Sequence, residues 1–304
     1  MTPAAFPPSL LGPGYTILER EPNAHASTFP SEILTCRKSN GAIVRVLSKS
    51  TGGREHNCFG HRAGVAHEAA VYREVLATLD MTAPRYCGDY TDPETGETWL
   101  AIEFIEGATS AEAAPDAGHA MELAARWAAR FHQVSLHADF SCLSRYDEPY
   151  YAQWAHRTWE LAGPWRQRLT WLEPLISKAP GFLASLSAEY STPIHGEFTP
   201  HNVMVRGEEV FPVDWESAAV GLPEIDLVCL TDKWPDEIVR RCERAYAAER
   251  FGSELPSDWD RRLDRARLYS DFRWLGDRPE WTVLEKVGPR FENLRGAAER
   301  LGLL

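Results

Sequence analysis

Strand-like patterning fills the first hundred residues and helical patterning the remainder, and that division restricts the possible folds more than any other feature. Tyr15 to Arg20, Glu32 to Cys36 and Ala42 to Ser48 are short β-prone runs bounded by Pro, Asn and Gly. Ser39-Asn40-Gly41 predicts a hairpin between the last two, because Asn-Gly tolerates positive φ. From Gly64 to Leu79 the spacing turns helical, with Val65, Ala69, Tyr72, Val75, Leu76 and Leu79 on one face. Arg85 to Tyr90 and Thr98 to Phe104 are two more strands across the polar turn Asp92 to Gly96. The expectation is a five-stranded antiparallel sheet with one helix inserted after its third strand.

Beyond Ile105-Glu106-Gly107 the period lengthens. Glu112 to Gly118 reads as an Ala-rich connector, and His119 to Ser135 carries the stripe Met121, Leu123, Ala124, Trp127 and Phe131. Tyr150 to Leu161, Trp165 to Ile176 and Gly181 to Tyr190 continue as helices, with Gly163-Pro164 and Ala179-Pro180 as breaks. A short hairpin, Val203 to Val205 and Val210 to Val213, interrupts them, and after Leu222-Pro223 everything is helical. The expected class is α+β and bilobal. Residues 1–105 form a β-rich lobe, a hinge lies near 105, and 106–304 form an α-rich lobe.

The balance of 32 basic against 44 acidic residues, a net charge of −12, argues against nucleic acid or an anionic membrane as partner. A neutral or cationic small ligand fits such a surface better. No apolar run approaches the length of a membrane span, and Met1 to Tyr15 lacks the pattern of a signal peptide, so a cytoplasmic protein is expected. Six scattered Cys without a CxxC pair read as reduced thiols.

The chemistry concentrates in Ile194-His195-Gly196-Glu197-Phe198-Thr199-Pro200-His201-Asn202 and in Phe211-Pro212-Val213-Asp214-Trp215-Glu216. An acid and an amide five residues apart share one tight loop, and a second acid arrives on the far strand of a hairpin twelve residues after the amide. Phosphoryl transfer needs such a set: one carboxylate to orient or deprotonate the attacking hydroxyl, and an Asn oxygen with another carboxylate to hold Mg²⁺ on the phosphates.

With these residues the chain resembles the aminoglycoside phosphotransferase family, the small-molecule branch of the protein-kinase-like fold. That family's motif is His-Gly-Asp, an Asn five residues after the Asp, and a further Asp after the following hairpin. His195, Gly196, Asn202 and Asp214 match it, and Glu197 stands where the family most often has Asp. The run Gly221-Leu222-Pro223-Glu224-Ile225-Asp226-Leu227 is similar to the family's entry into the next helix, whose Asp braces the catalytic loop. The resemblance implies a kinase-like fold, Mg-ATP in the cleft, Glu197 as the catalytic carboxylate, and Asn202 with Asp214 as the metal ligands.

The fold also needs a phosphate-binding cation near the third strand and a Glu on the next helix to hold it. Lys49 and Arg45 both qualify, on the same face by alternation, and Glu68 lies one turn into that helix. No glycine-rich loop precedes them, so Ser27 and Thr28 are the candidates for presenting hydroxyls or N–H groups to phosphates. Glu103 to Glu106, Ile105 included, sit at the hinge where backbone groups would hold the nucleotide base. Arg54 and Arg62 lie in a basic segment leading into the helix and are candidates to close over the phosphates. The same segment holds His56, Cys58 and His61, ligand types without a fourth partner nearby.

Substrate-side candidates are Glu216, His201, Asp232, Asp236, Asp271 and Glu280, each with a solvated helix face as its alternative. Trp154, Trp159, Trp165 and Trp171 form either a stacking platform or core. His195 reads as packing the loop from behind. The expected activity is transfer of the γ-phosphate of ATP, with Mg²⁺, to a hydroxyl of a small molecule such as an antibiotic, by a monomer or homodimer. The rivals are an inert nucleotide-binding scaffold and a protein kinase; the second lacks an activation segment between Asp214 and Gly221.

Overall fold

The computed structural model describes residues 7–304 except 13, 25–28, 53–61, 137, 139 and 278–287. Ser27, Thr28, Arg54, Glu280 and the His56, Cys58, His61 group therefore lie outside the described residues. The small lobe is built from β1 (Tyr15–Pro22), β2 (Ser31–Lys38) and β3 (Ile43–Ser50), helix α1 (Gly64–Ala70), then β4 (Tyr86–Thr91) and β5 (Thr98–Glu103). These strands form the expected five-stranded antiparallel sheet in the order β1-β2-β3-β5-β4. Gly41 turns the second hairpin at φ 85°, and its N–H donates to the Lys38 carbonyl at 2.8 Å. Lys49, expected just after the third strand, lies within β3 opposite Leu100 of β5.

The helix after β3 is not uniform. Gly64–Ala70 is α-helical, Val71–Val75 winds as a π-helix, and Leu76–Thr78 tightens to a 3₁₀ turn. Val65, Ala69, Tyr72, Val75 and Leu76 are all buried as the periodicity implied, and Val71 is buried with them.

Past the hinge come β6 (Thr109–Ser110), α2 (Ala117–Val134), β7 (Ser144–Arg145), α3 (Glu148–Leu161) and α4 (Leu172–Tyr190). The strands β8 (Thr192–Ile194), β9 (Val203–Arg206), β10 (Glu209–Pro212) and β11 (Ala219–Gly221) carry the loops of interest. Helices α5 (Glu224–Thr231), α6 (Asp236–Phe251), α7 (Trp259–Asp277) and α8 (Gly288–Leu301) complete the large lobe. Two three-stranded sheets, β10-β9-β6 and β7-β11-β8, frame the cleft side.

Three expectations need correction. The connector before α2 contains a 3₁₀ turn (Ala111–Ala113), and α2 starts at Ala117 because Asp116 caps it, accepting from the His119 N–H at 2.9 Å. Trp165 to Ile176 is not one helix: a 3₁₀ turn (Gly163–Trp165) and further turns precede α4. Nor does Ala179-Pro180 break the chain, since α4 runs through Pro180. Its face Leu172, Leu175, Ile176, Ala179 and Leu183 is buried against the large-lobe core, and that packing offsets the hydrogen bond a proline removes.

The apolar interior does not stop at the hinge. Val65, Tyr72 and Leu100 belong to one cluster with Trp127, Phe131, Phe198 and Trp215, so the small-lobe helix rests on the segment that carries Phe198 and Trp215. Trp154 is fully buried in a second cluster, and Trp159, Trp165 and Trp171 pack against it, which makes the Trp series core and not a platform. Among the described residues no helix is long and apolar enough to cross a membrane, and Cys36, Cys87, Cys142, Cys229 and Cys242 are free thiols.

Candidate active site

Strand β8 delivers the chain into the loop His195–Thr199, and a 3₁₀ turn (Pro200–Asn202) passes it on to β9. Two devices fix the loop. Gly196 sits at φ 80°, where a Cβ would lie 2.2 Å from the Ser217 carbonyl oxygen, so only glycine lets the loop touch that segment. Behind it, the N–H groups of His195 and Gly196 donate to the two oxygens of Asp226 on α5, at 2.8 and 2.9 Å. Asp226 thus braces the loop in the way the resemblance implied. It also meets His132 Nε2 at 3.1 Å, and His132 Nδ1 lies 2.8 Å from the Tyr246 hydroxyl. Burial lowers the affinity of His132 for a second proton, although Asp226 opposes that effect. His195 is fully buried, 2.9 Å from the Val213 carbonyl and tilted against Trp215 with ring centroids 4.4 Å apart, a packing residue as read from sequence.

In front of the loop the hairpin joins the two proposed metal ligands. β9 and β10 pair Val203 with Pro212, and the Val213 N–H donates to the Asn202 carbonyl at 2.9 Å, which sets Asn202 beside Asp214. The Asn202 amide nitrogen donates to the Glu197 carbonyl at 3.1 Å, a bond that does not consume its side-chain oxygen. Asp214 adopts the left-handed conformation (φ 69°, ψ 57°), which costs a non-glycine residue roughly 1–3 kcal/mol. That conformation turns the chain into a 3₁₀ turn (Trp215–Ser217) and aims the carboxylate back at the small lobe.

There the two candidate cations part: Lys49, not Arg45, is the partner of Glu68. Its Nζ donates to Glu68 at 2.7 Å and to Asp214, and lies 3.8 Å from Glu216. Arg45, on the same strand face, instead stacks 4.3 Å over Phe104 and pairs with Glu106 at 3.2 Å and Glu21 at 3.5 Å, next to the hinge. Burial lowers the Lys49 ammonium's hold on its proton, but Glu68, Asp214 and Glu216 outweigh it and raise the group above the usual lysine range. Glu68, 2 % exposed, is raised by burial against the opposing pull of Lys49. Glu216, 1 % exposed, is pushed up to about 7, first by burial and further by Asp214 and Glu68.

Glu197 holds a second network. Arg62 grips it with two bonds, Nε at 2.8 Å and Nη2 at 2.7 Å, Arg273 of α7 donates to the same carboxylate, and the Ser217 hydroxyl donates at 3.1 Å. Arg62 Nε also lies 3.3 Å from Glu216. Both guanidiniums are raised above their ordinary range: burial works against them, and the Glu197 carboxylate more than compensates.

The remaining candidates divide. Glu103 and Ile105 stand at the hinge, where the Glu103 N–H donates to the Arg85 carbonyl at 2.8 Å and the Ile105 carbonyl accepts from Ala108 at 3.3 Å. His201 is exposed and paired with Glu112 at 2.9 Å. Asp232 and Asp271 converge on one cation, Arg290 of α8, at 2.8 Å each, and Asp236 is exposed on the first turn of α6. Sequence reasoning missed Arg273, Ser217 and the His132–Tyr246 brace.

Among the described residues no group of three or more His, Cys, Asp or Glu is arranged to hold a metal alone. The pair Asn202 and Asp214 fits a hard cation that takes its other oxygens from phosphates, the usual habit of Mg²⁺.

A family model described as "Phosphotransferase enzyme family" matches residues 54–265, more than half of the chain. No curated protein sequence matches. Among solved structures, a choline kinase from Cryptosporidium parvum aligns with a TM-score of 0.60 at 15% identity, over 94% of this chain and 91% of that one. A macrolide 2'-phosphotransferase from Brachybacterium faecium gives 0.52 at 18% identity, over 93% and 91%. An amicoumacin kinase in complex with AMP-PNP, Ca²⁺ and Ami gives 0.56 at 12% identity, over 95% and 87%. These likenesses are to the kinase-like fold.

Proposed function

The chain belongs to the phosphotransferase enzyme family, and from that premise we propose that it moves the γ-phosphoryl group of Mg-ATP to a hydroxyl of a small molecule, an antibiotic or related natural product. One observation carries this: Lys49, Glu68 and Asp214 are joined across the cleft, within reach of the loop that presents Glu197 and Asn202. Lys49, oriented by Glu68, takes the α- and β-phosphates. Asn202 and Asp214 hold the metal, whose charge offsets that of the phosphates. Glu197 fixes the acceptor hydroxyl in line and receives its proton as the new P–O bond forms. Glu103 and Ile105 supply backbone groups for the base.

The bound AMP-PNP and Ca²⁺ of the amicoumacin kinase support a nucleoside triphosphate with a divalent cation here. The choline and macrolide enzymes of the same fold support a small alcohol as acceptor in place of a protein. Cytoplasmic residence, as a monomer or homodimer, belongs to the same proposal. The second reading, an inert nucleotide-binding scaffold, draws on the double ion pairing of Glu197.

An ATP-consumption screen with Mg²⁺ against aminoglycosides, nucleoside antibiotics, macrolides and amino alcohols tests the proposal, with Asp214→Ala as control. Acceptor-dependent turnover that vanishes in the control is the expected result. Mg-ATP binding by thermal shift without any turnover would favour the scaffold, and absence of binding would end both readings.

A further inference from the structure

Two guanidiniums on one carboxylate are more than charge balance at Glu197 requires, and the two are rooted differently. Arg273 rises from α7, with Tyr269, Tyr150 and Cys229 as its other electrostatic neighbours. Arg62 comes from the other side of the cleft, at the entry to α1, where the next residue, Ala63, donates its N–H to the Glu216 carbonyl at 2.8 Å. That bond anchors the root of Arg62 to the 3₁₀ turn that follows Asp214. Its side chain then spans the cleft floor, bonded twice to Glu197 and lying 3.3 Å from Glu216.

Those two acids mark the two ends of the proposed transfer. Glu197 belongs to the acceptor end, while Glu216 belongs to the end of Lys49 and Asp214. A phosphoryl group passing from nucleotide to hydroxyl crosses the interval that the Arg62 guanidinium bridges. Lys49 offers a precedent within the same site: it too rests on an acid with another proposed duty, Asp214. With Asp214 holding a metal, Lys49 would be left to the phosphates, and Arg62 stands in the same relation to Glu197 and Glu216. Its departure would not strand a bare buried charge, because Arg273 and Ser217 stay on Glu197.

Resting on the function proposed above, we infer that Arg62 is a catalytic arginine supplied by the small lobe, engaging the oxygens of the group in transfer, with Arg273 as the positioning residue that keeps Glu197 in place. The guanidinium forms no covalent bond. The bond between the γ-phosphorus and the ADP oxygen breaks, a bond from the acceptor oxygen to that phosphorus forms, and the hydroxyl proton passes to Glu197. Arg62 lends planar donors to the equatorial oxygens, where charge is spread in a loose transition state.

The test uses the full-length protein and compares Mg-ADP with Mg-ADP plus aluminium fluoride, a mimic of the group in transfer, by titration calorimetry. Wild type is expected to bind the mimic far more tightly than Mg-ADP alone. Arg62→Ala is expected to bind Mg-ADP within about threefold of wild type yet to lose most of the gain from aluminium fluoride, with kcat lower by about 10³-fold or more. Arg62→Lys, which keeps the charge, should recover part of both, and unchanged melting curves would confirm that each variant folds. An undiminished aluminium fluoride gain in Arg62→Ala overturns the inference, as does equal loss of Mg-ADP and mimic binding. Failure of the function itself looks different: wild type then gains nothing from aluminium fluoride, either as a scaffold that still binds Mg-ADP or as a protein that binds none.

Discussion

The loop His195–Thr199 has two sides, and they are built on opposite principles. Behind it, one buried carboxylate, Asp226, meets donors whose positions are set by backbone and helix: the N–H groups of His195 and Gly196, and His132 backed by Tyr246. In front, four carboxylates, Glu68, Glu197, Asp214 and Glu216, share three cations, Lys49, Arg62 and Arg273. The back is satisfied and has nothing left to do. The front holds an acid pushed up to about 7 and an aspartate in a costly backbone conformation. On the proposed function a divalent metal would relieve this crowding, so the same loop would separate a part that stabilises the fold from a part that gives up stability for chemistry.

The contrast can be broken most directly at Asp226. Asp226→Ala should cost about 3–5 kcal/mol in urea denaturation, because it strands two backbone donors and a buried histidine. A variant that unfolds like wild type but lacks activity would move the brace into the catalytic half. Next in size, Asp214→Asn should lower turnover by about 10²-fold or more, near 3 kcal/mol of barrier, while leaving stability equal to or above wild type. Asparagine tolerates the left-handed conformation, and the change removes one charge from the crowd. A clear loss of stability there would mean the front is structural as well.

The smallest effect lies at Asp271, which sits between the two cases: buried, but with one cation, Arg290, shared with Asp232. Burial raises its carboxyl to about 7, so the folded state binds this proton more firmly than the unfolded chain does. The stability it contributes is present at low pH and lost as pH climbs from the ordinary carboxylate range through 7. Melting between pH 5 and 7 should therefore show a decline that Asp271→Asn flattens, by roughly 2 kcal/mol over that interval.

Much of the front was legible because its residues lie on one loop and one hairpin, where spacing alone brings Glu197, Asn202 and Asp214 together. The sheet was equally plain from Asn-Gly and the alternating runs. What could not be read depended on docking. Alternation puts Arg45 and Lys49 on one strand face, and only the placement of α1 beside the far end of β3 selects Lys49 as the partner of Glu68. Arg273 belongs to a helix that also carries Arg261, Arg262, Arg265 and Arg267, and no local pattern marks which of these turns inward. His132, in the last turn of α2, looks in sequence like a favourable dipole partner, whereas it is buried against Asp226. Pro180 failed as a break because burial of its neighbours, a tertiary effect, outweighed a local signal.

The π-helical stretch Val71–Val75 follows directly on the turn that holds Glu68. Such a stretch accommodates about one residue more than an α-helix of equal length, and so rotates everything beyond it by roughly 100°. One regular period still seemed to cover Val65 through Leu76 because the rod is buried on more than one side, Val71 as fully as Tyr72. The glutamate that orients Lys49 and the apolar side chains in and beyond the π stretch, Tyr72, Val75 and Leu76, are thus set out of phase by a surplus residue. A relative lacking that residue would keep one of the two in place and displace the other, and a residue-by-residue alignment of the two chains would need its gap there, inside a helix and not in a loop.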